Sequence, residues 1–221
     1  MSPRPANPRV RDALLDAARS EFGRAGVAQA RVEDIARAAG VSKGAFYLHF
    51  DSKEEAFREI LHRFLGVLED HSTRRREAEL RFERDVGRPG RETTLQQTLD
   101  LDCKLDTELL ESLWRNRLIV AALDRAAGPP YLDIVSDFRR RMRSMVGSRI
   151  ALKQQEGWLR ADVDPEVIVD VLLGTYEGYA RRMLGMKAKP DFARWARAFL
   201  SLLYQGIRDP SSGARASATH T

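Results

Sequence analysis

Residues 32–50 read VEDIARAAGVSKGAFYLHF, and this stretch decides the fold. Val32, Ile35, Ala36 and Ala39 fall at i, i+3, i+4 and i+7, on one apolar face of a helix. Gly40 follows, where ending a helix calls for a positive φ that glycine adopts without strain. Val41 then turns inward, and the Ser42 hydroxyl is placed to cap a second helix. In that helix Phe46 and Phe50 share one face, while Lys43, Gly44, Tyr47 and His49 lie away from it. Helix, short glycine turn, helix is the helix-turn-helix layout, whose second helix enters the major groove N-terminus first.

The flanks extend the pattern. Upstream, Val10, Ala13, Leu14, Ala17, Ala18 and Phe22 form another amphipathic stripe, ended by Gly23 or Gly26. Downstream, Ser52 at an N-cap and Glu55 three residues later make a capping box that opens a long helix. The run from Arg11 to Phe57 resembles the DNA-binding domain of the TetR (tetracycline repressor) family. The matching residues are Ala17-Ala18, Phe22, Gly26, Asp34-Ile35-Ala36, Ala39-Gly40-Val41-Ser42, Tyr47, His49-Phe50 and Ser52-Lys53. The resemblance implies an all-α fold: an N-terminal three-helix helix-turn-helix domain followed by a C-terminal helical ligand-binding and dimerisation bundle.

Composition sets outer bounds. The 221 residues suffice for a sizeable core, and no apolar run approaches the roughly 20 residues that span a membrane. No apolar stretch of a signal peptide precedes the motif, and Cys103 is the single cysteine, which fits a reducing cytoplasm. A net charge of +5 is a weak argument for nucleic acid by itself. The runs Arg74-Arg75-Arg76 and Arg139-Arg140-Arg141 read as solvated helix faces. No Gly-rich phosphate loop, metal-ligand spacing or nucleophile motif is present, so no enzyme, cofactor or metal is expected.

Along the chain, residues 1–8 read as a disordered arm from which Arg4, with Arg9 beside it, could reach DNA. Residues 9–55 make the DNA-binding domain, 56–208 the regulatory and dimerisation domain, and 209–221 a disordered tail. The helix opened by Ser52 runs to the low eighties and is broken by Gly87-Arg88-Pro89-Gly90. Leu95, Leu99 and Leu101 begin another helix, and a further one covers about 107–126. Helices follow over about 131–155, from Pro165 to about Leu184, and from Pro190 to about Arg208.

The site residues follow. Arg31, Val32, Ser42, Lys43, Gly44, Ala45, Tyr47, His49 and Lys53 form the expected DNA-contact set. Lys43 is the strong base-edge donor, and small Gly44 and Ala45 let the backbone approach the bases. The family resemblance implies that Tyr47, His49 and Lys53 meet phosphates; a packing role for His49 stays open. The family usually carries Ser or Thr around positions 30 and 31, where this chain has Ala30 and Arg31. The missing hydroxyl predicts that Ala30→Ser raises the melting temperature, with Arg31 as a substitute phosphate contact.

Val167, Val171, Gly174 and Gly178 line one helix face, and Phe192, Trp195, Phe199 and Leu203 another. Both read as core or as dimer interface, and the resemblance favours the interface. Polar groups on apolar stripes point to a ligand pocket: Asn116 with Trp114 and Arg117, and Glu177 with Tyr176 and Tyr179. An internal ion-pair network is the competing reading of those residues. The expected function is a homodimeric repressor on a palindromic operator, released by a small amphipathic or hydrophobic ligand. The alternative is a ligand-independent DNA-binding dimer that recruits a protein partner or organises the chromosome.

Overall fold

The computed structural model describes residues 7–86, 92–126, 128–129 and 131–207. The breaker cluster at 87–90, Arg4 with most of the N-terminal arm, and the tail at 209–221 lie outside the described residues. Among the described residues the structure is all helix: α1 (Pro8–Ala25), α2 (Val32–Ala38), α3 (Lys43–Tyr47), α4 (Lys53–Val86), α5 (Glu92–Arg115), α6 (Arg117–Arg125), α7 (Tyr131–Gln155), α8 (Pro165–Leu184) and α9 (Phe192–Ile207). No helix among them is long and apolar enough to cross a membrane.

The helix boundaries follow local chemistry. Asn7 caps α1 by accepting the Arg9 N–H, with Pro8 inside the first turn, so the last two residues of the expected arm already belong to the helix start. Gly26 and Gly40 both have positive φ, 82° and 71°. Asp164 caps α8 ahead of Pro165, and Asp191 caps α9 through the Arg194 N–H. Some boundaries differ from expectation: α3 ends at Tyr47, leaving His49 and Phe50 just beyond it, and α9 begins at Phe192. The chain breaks at Asn116, so the helix predicted over 107–126 is the end of α5 plus a separate α6.

The chain forms two compact units, each drawn from several segments. The first comprises Met1–Val67, Asn116–Arg140 and Ala180–Gly185. Its core takes in Leu14, Ala18, Phe22, Ile35, Phe46, Phe50 and Phe57 of the sequence pattern together with Val27, all essentially inaccessible. Phe22 meets Phe57 edge to face at 5.8 Å. Arg11 clasps Glu59 with both guanidinium arms, and Arg63 reaches Asp12 at 2.9 Å, tying α1 to α4. From α6, Arg125 donates to the carbonyls of Gly23 and Arg24 at 2.7 Å each, satisfying the open end of α1.

Gly23 is where α1 and α6 touch. A Cβ built there would sit 2.9 Å from both the Cβ and the carbonyl oxygen of Leu118. Backbone cannot yield as a side-chain tip does. Gly23→Ala is therefore expected to cost about 1–3 kcal/mol, despite alanine's better helix propensity. Urea unfolding of the variant measures it; a stabilised variant would mean that the α1–α6 contact is not tight.

The second unit comprises Leu68–Arg115, Arg141–Tyr179 and Met186–Thr221. Ile150, Ile168, Val169 and Leu172 make its buried nucleus, with Leu159, Tyr176, Phe199 and Leu203 packed around it. An aromatic run continues through Trp114, Phe192, Trp195, Tyr179 and Phe199 at centroid distances of 4.9–6.4 Å. Cys103 is buried, and burial pushes its thiol pKa up, which keeps it an unreactive small hydrophobe.

Candidate nucleic-acid interface

The helix-turn-helix is built around two inward rings. Phe46 and Phe50 are buried, with centroids 5.5 Å apart, and they fix the roll of α3. The opposite side of α3 is thereby turned outward: Ser42, Lys43, Gly44 and Tyr47 are exposed and Ala45 is half-buried. Ser42 caps the helix as its position suggested, its hydroxyl accepting the Ala45 N–H at 3.2 Å. Small side chains at Gly44 and Ala45 leave the helix backbone itself close to whatever approaches. The arrangement suits insertion into a groove, with a cation at the leading end.

Lys43 does not extend freely. Its ammonium lies 2.6 Å from Glu33 on the first turn of α2, and the Tyr47 ring is 6.0 Å away. The Lys43 hydrogen bond holds the Glu33 carboxyl below its usual range and lifts the Lys43 pKa in return. Both groups are exposed, so the pair is weak and open to exchange for a stronger acceptor. Glu33 thus competes with DNA for the expected base-reading cation.

Two expected contacts sit differently from their sequence reading. Lys53 folds its ammonium onto the carbonyls of Ala28 and Ala30 at 2.8 and 3.0 Å, holding the loop before α2. It retains one further N–H for a phosphate. His49 is half-buried with an unpartnered buried Nδ1, closer to its packing reading than to a fully outward contact. Ser52 caps α4 by accepting the Glu55 N–H at 3.1 Å, and Glu55 closes the return bond on Asp51 N–H instead of on Ser52.

The missing cap is also relocated. The N-cap of α2 is Arg31, extended at φ −107° and without a side-chain bond, while Ala30 is buried with its carbonyl held by Lys53. Ala30→Ser would bury a hydroxyl and cap nothing, so the stabilisation expected there belongs to position 31. Arg31→Ser is expected to stabilise the fold by about 1 kcal/mol. If exposed Arg31 also meets phosphate, the same change weakens DNA binding and flattens its salt dependence by about one unit per protomer. Parallel melting and salt titrations of the variant check both halves.

Of the residues expected in a ligand pocket, Tyr176 and Tyr179 meet edge to face at 6.4 Å. Asn116 and Arg117 sit at the α5–α6 break. Glu177 is exposed, Trp114 packs against Phe192, and Tyr179 packs against Trp195. Of that set, Tyr176 lines the polar cavity of the second unit. There Arg75 is buried and bridges two carboxylates, Asp102 at 2.9 Å and Asp106. Tyr204 donates to the second oxygen of Asp102, and Tyr176 to that of Asp106.

Burial opposes the charge on Arg75, yet Asp106 and Asp102 more than offset it and raise its pKa. Burial, with the adjoining carboxylates, also lifts both tyrosine hydroxyls well above their usual value. The reading of Arg74-Arg75-Arg76 as a surface run is thus wrong at its centre, while Arg139-Arg140-Arg141 is exposed as expected. A sequence signal existed: Thr98, Asp102 and Asp106 recur every four residues on the buried stripe of α5 with Leu110 and Leu113. No cluster of three or more metal-ligating side chains occurs among the described residues.

The expected dimer residues divide as well. On α8, Val167 and Val171 are 52% and 45% exposed, and nothing packs within 4 Å of where a Cβ of Gly174 or Gly178 would lie. On α9, Phe192 is buried in its own unit, and Trp195, Phe199 and Leu203 are half-buried there. The α9 stripe is chiefly core, because its aromatic rings pair with Trp114, Tyr176 and Tyr179. Leu202, 73% exposed, is the apolar side chain that α9 turns outward.

A capped, small-faced second helix rolled outward on two buried phenylalanines defines a helix-turn-helix DNA-binding protein. Residues 14–60 match the family profile described as "Bacterial regulatory proteins, tetR family". The chain is 48% identical over 58 residues to the HTH-type transcriptional repressor KstR2 of Rhodococcus jostii strain RHA1, an alignment covering 26% of this chain and 28% of that protein. It is 23% identical over 208 residues to the HTH-type transcriptional repressor BepR of Brucella suis biovar 1 strain 1330, covering 92% and 94%. Its fold resembles that of the ketosteroid transcriptional regulator KstR2 of Mycobacterium tuberculosis, with TM-score 0.62, 22% identity and coverage of 90% and 95%. Residues 14–60 thus carry a segment of the tetR-family type, and the curated relatives similar to the chain over most of its length are transcriptional regulators.

Proposed function

We propose that this protein is a cytoplasmic homodimeric repressor that grips a two-fold symmetric operator and leaves it when a small molecule occupies the second unit. The observation that carries the reading is the outward face of α3: a capped N-terminus, Lys43, and the short side chains of Gly44 and Ala45. Lys43 reads a base edge, Tyr47 and Arg31 meet phosphates, and Ser42 and Val32 border the contact. Lys53 and His49 chiefly hold the motif in shape.

The uncovered α8 face of Val167, Val171, Gly174 and Gly178, with Leu202 of α9, takes a second copy of the chain. Two-fold pairing matches the need of helix-turn-helix readers to reach successive grooves. Release requires the ligand to favour the unbound form by roughly 5.5 kcal/mol. Helix α4 carries both Lys53 and the cavity residue Arg75, and its displacement is the proposed lever.

Fluorescence titration of operator DNA, with protein mass measured by sedimentation, tests the assembly. The expected result is two chains per site, and loss of both dimer and tight DNA binding on Val171→Glu. A monomer that binds with full affinity would overturn it. Spin labels on α3 should change their separation across the dimer when effector is added; an unchanged distance sinks the lever. One observation favours a ligand-independent repressor instead, namely that the cavity is only about 90 Å³. Failure of every small molecule to stabilise the protein in a thermal-shift screen would select that reading.

A further inference from the structure

The cavity of the second unit contains one cation that no group among the described residues answers. Three cationic side chains and three carboxylates line it: Arg75, Arg149 and Lys153 against Glu79, Asp102 and Asp106. Both oxygens of Asp102 and both of Asp106 accept hydrogen bonds, from Arg75 and from the two tyrosines. Glu79 lies 3.2 Å from Lys153 and 3.9 Å from Arg76. Arg149, by contrast, has no hydrogen-bond or ion-pair partner among the described residues, and its Nε is buried. The Nε of Arg75 is likewise buried without an acceptor.

Two unanswered guanidinium N–H groups in one cavity call for an acceptor from outside, and a charged one gains most. Glu79 Oε2 is also buried without a hydrogen bond, but Lys153 stands 3.2 Å from it and compensates its charge. A cationic ligand would have to displace Lys153 there or Arg75 from Asp102 and Asp106. Beside the polar wall the cavity is apolar, with Trp158, Leu159 and Leu172. Its volume of about 90 Å³ corresponds to about three waters at 30 Å³ each. A head group fits as the cavity stands, whereas an attached alkyl or aryl body must part the walls. Ligand binding is thereby coupled to a change of shape.

We infer that this cavity is a site for a small amphipathic carboxylate, its head group held by Arg149 and the Nε of Arg75 and its apolar body laid against Trp158, Leu159 and Leu172. The inference rests on the reading of this cavity as the effector site.

Calorimetric titration of the full chain with octanoate, 1-octanol and octylamine tests it. Octanoate should bind roughly ten-fold or more tighter than octanol, with octylamine weakest. Arg149→Gln should remove that advantage while octanol binding stays, and Arg149→Lys should restore part of it. Equal affinities, preference for the amine, no carboxylate binding, or an unaltered octanoate affinity in Arg149→Gln would each overturn the proposal. Operator release measured in parallel separates the two ideas. Octanoate bound through Arg149 with DNA still held contradicts the effector reading and supports the carboxylate site. Release by a neutral or cationic compound, with no carboxylate bound, does the reverse.

Discussion

Arg75→Met is expected to destabilise the protein by about 3–5 kcal/mol, the cost of leaving a buried charge without its partner. Arg75 is 3% exposed and bridges Asp102 and Asp106, the latter equally buried. Removing the cation leaves two carboxylates in one cavity, with the tyrosine hydroxyls as their remaining hydrogen-bond donors. The triple variant Arg75→Met, Asp102→Asn, Asp106→Asn should recover most of the loss. It removes all three charges, and the amide oxygens still accept from Tyr204 and Tyr176. Urea unfolding of both variants measures the difference. A single variant costing under about 1 kcal/mol, or a triple variant as unstable as the single, would mean that the cage does not hold the unit together.

His71 should make stability fall as the medium becomes acidic, by up to about 3 kcal/mol between pH 6.5 and 4. The side chain is 6% exposed with an unpartnered buried Nε2, one turn before Arg75 on α4. Burial, followed by the charges of Arg75, Arg74 and Arg149, lowers its pKa from 6.5 to about 4. Above pH 6.5 the imidazole is neutral whether the chain is folded or not, and it contributes no slope. Between 6.5 and 4 the unfolded chain takes up a proton that the folded chain refuses, so stability drops as pH falls. His71→Gln should therefore lose about 2–3 kcal/mol less than the parent on going from pH 7 to pH 4. Identical losses in both would show that His71 titrates normally in the folded protein.

The parts legible in the sequence were those set by local rules. Gly40, Ser42 and Ser52 each satisfy a backbone requirement within a few residues, so their roles follow from spacing alone. The Phe46–Phe50 pair likewise fixes which side of α3 faces out. What escaped depends on partners distant along the chain. Arg75 in a run of three arginines reads as surface until Asp102 and Asp106 are seen opposite it. Phe192 fits an interface stripe equally well until Trp114 fills the space beside it. Lys53 has a phosphate-binding position but is drawn to two carbonyls more than 20 residues upstream. One non-helical residue, Asn116, shifts the helical phase of everything after it, which the spacing along the sequence did not show.

The measurement that bears most directly on DNA reading by α3 is selection of bound sequences from a random duplex pool, run with the parent chain and with Lys43→Ala. The parent should enrich a two-fold symmetric site. Lys43→Ala should relax the preference at one symmetry-related base pair in each half by about 1–3 kcal/mol and leave the other positions unchanged. No symmetric site, or an identical preference at every position in the variant, would contradict the account.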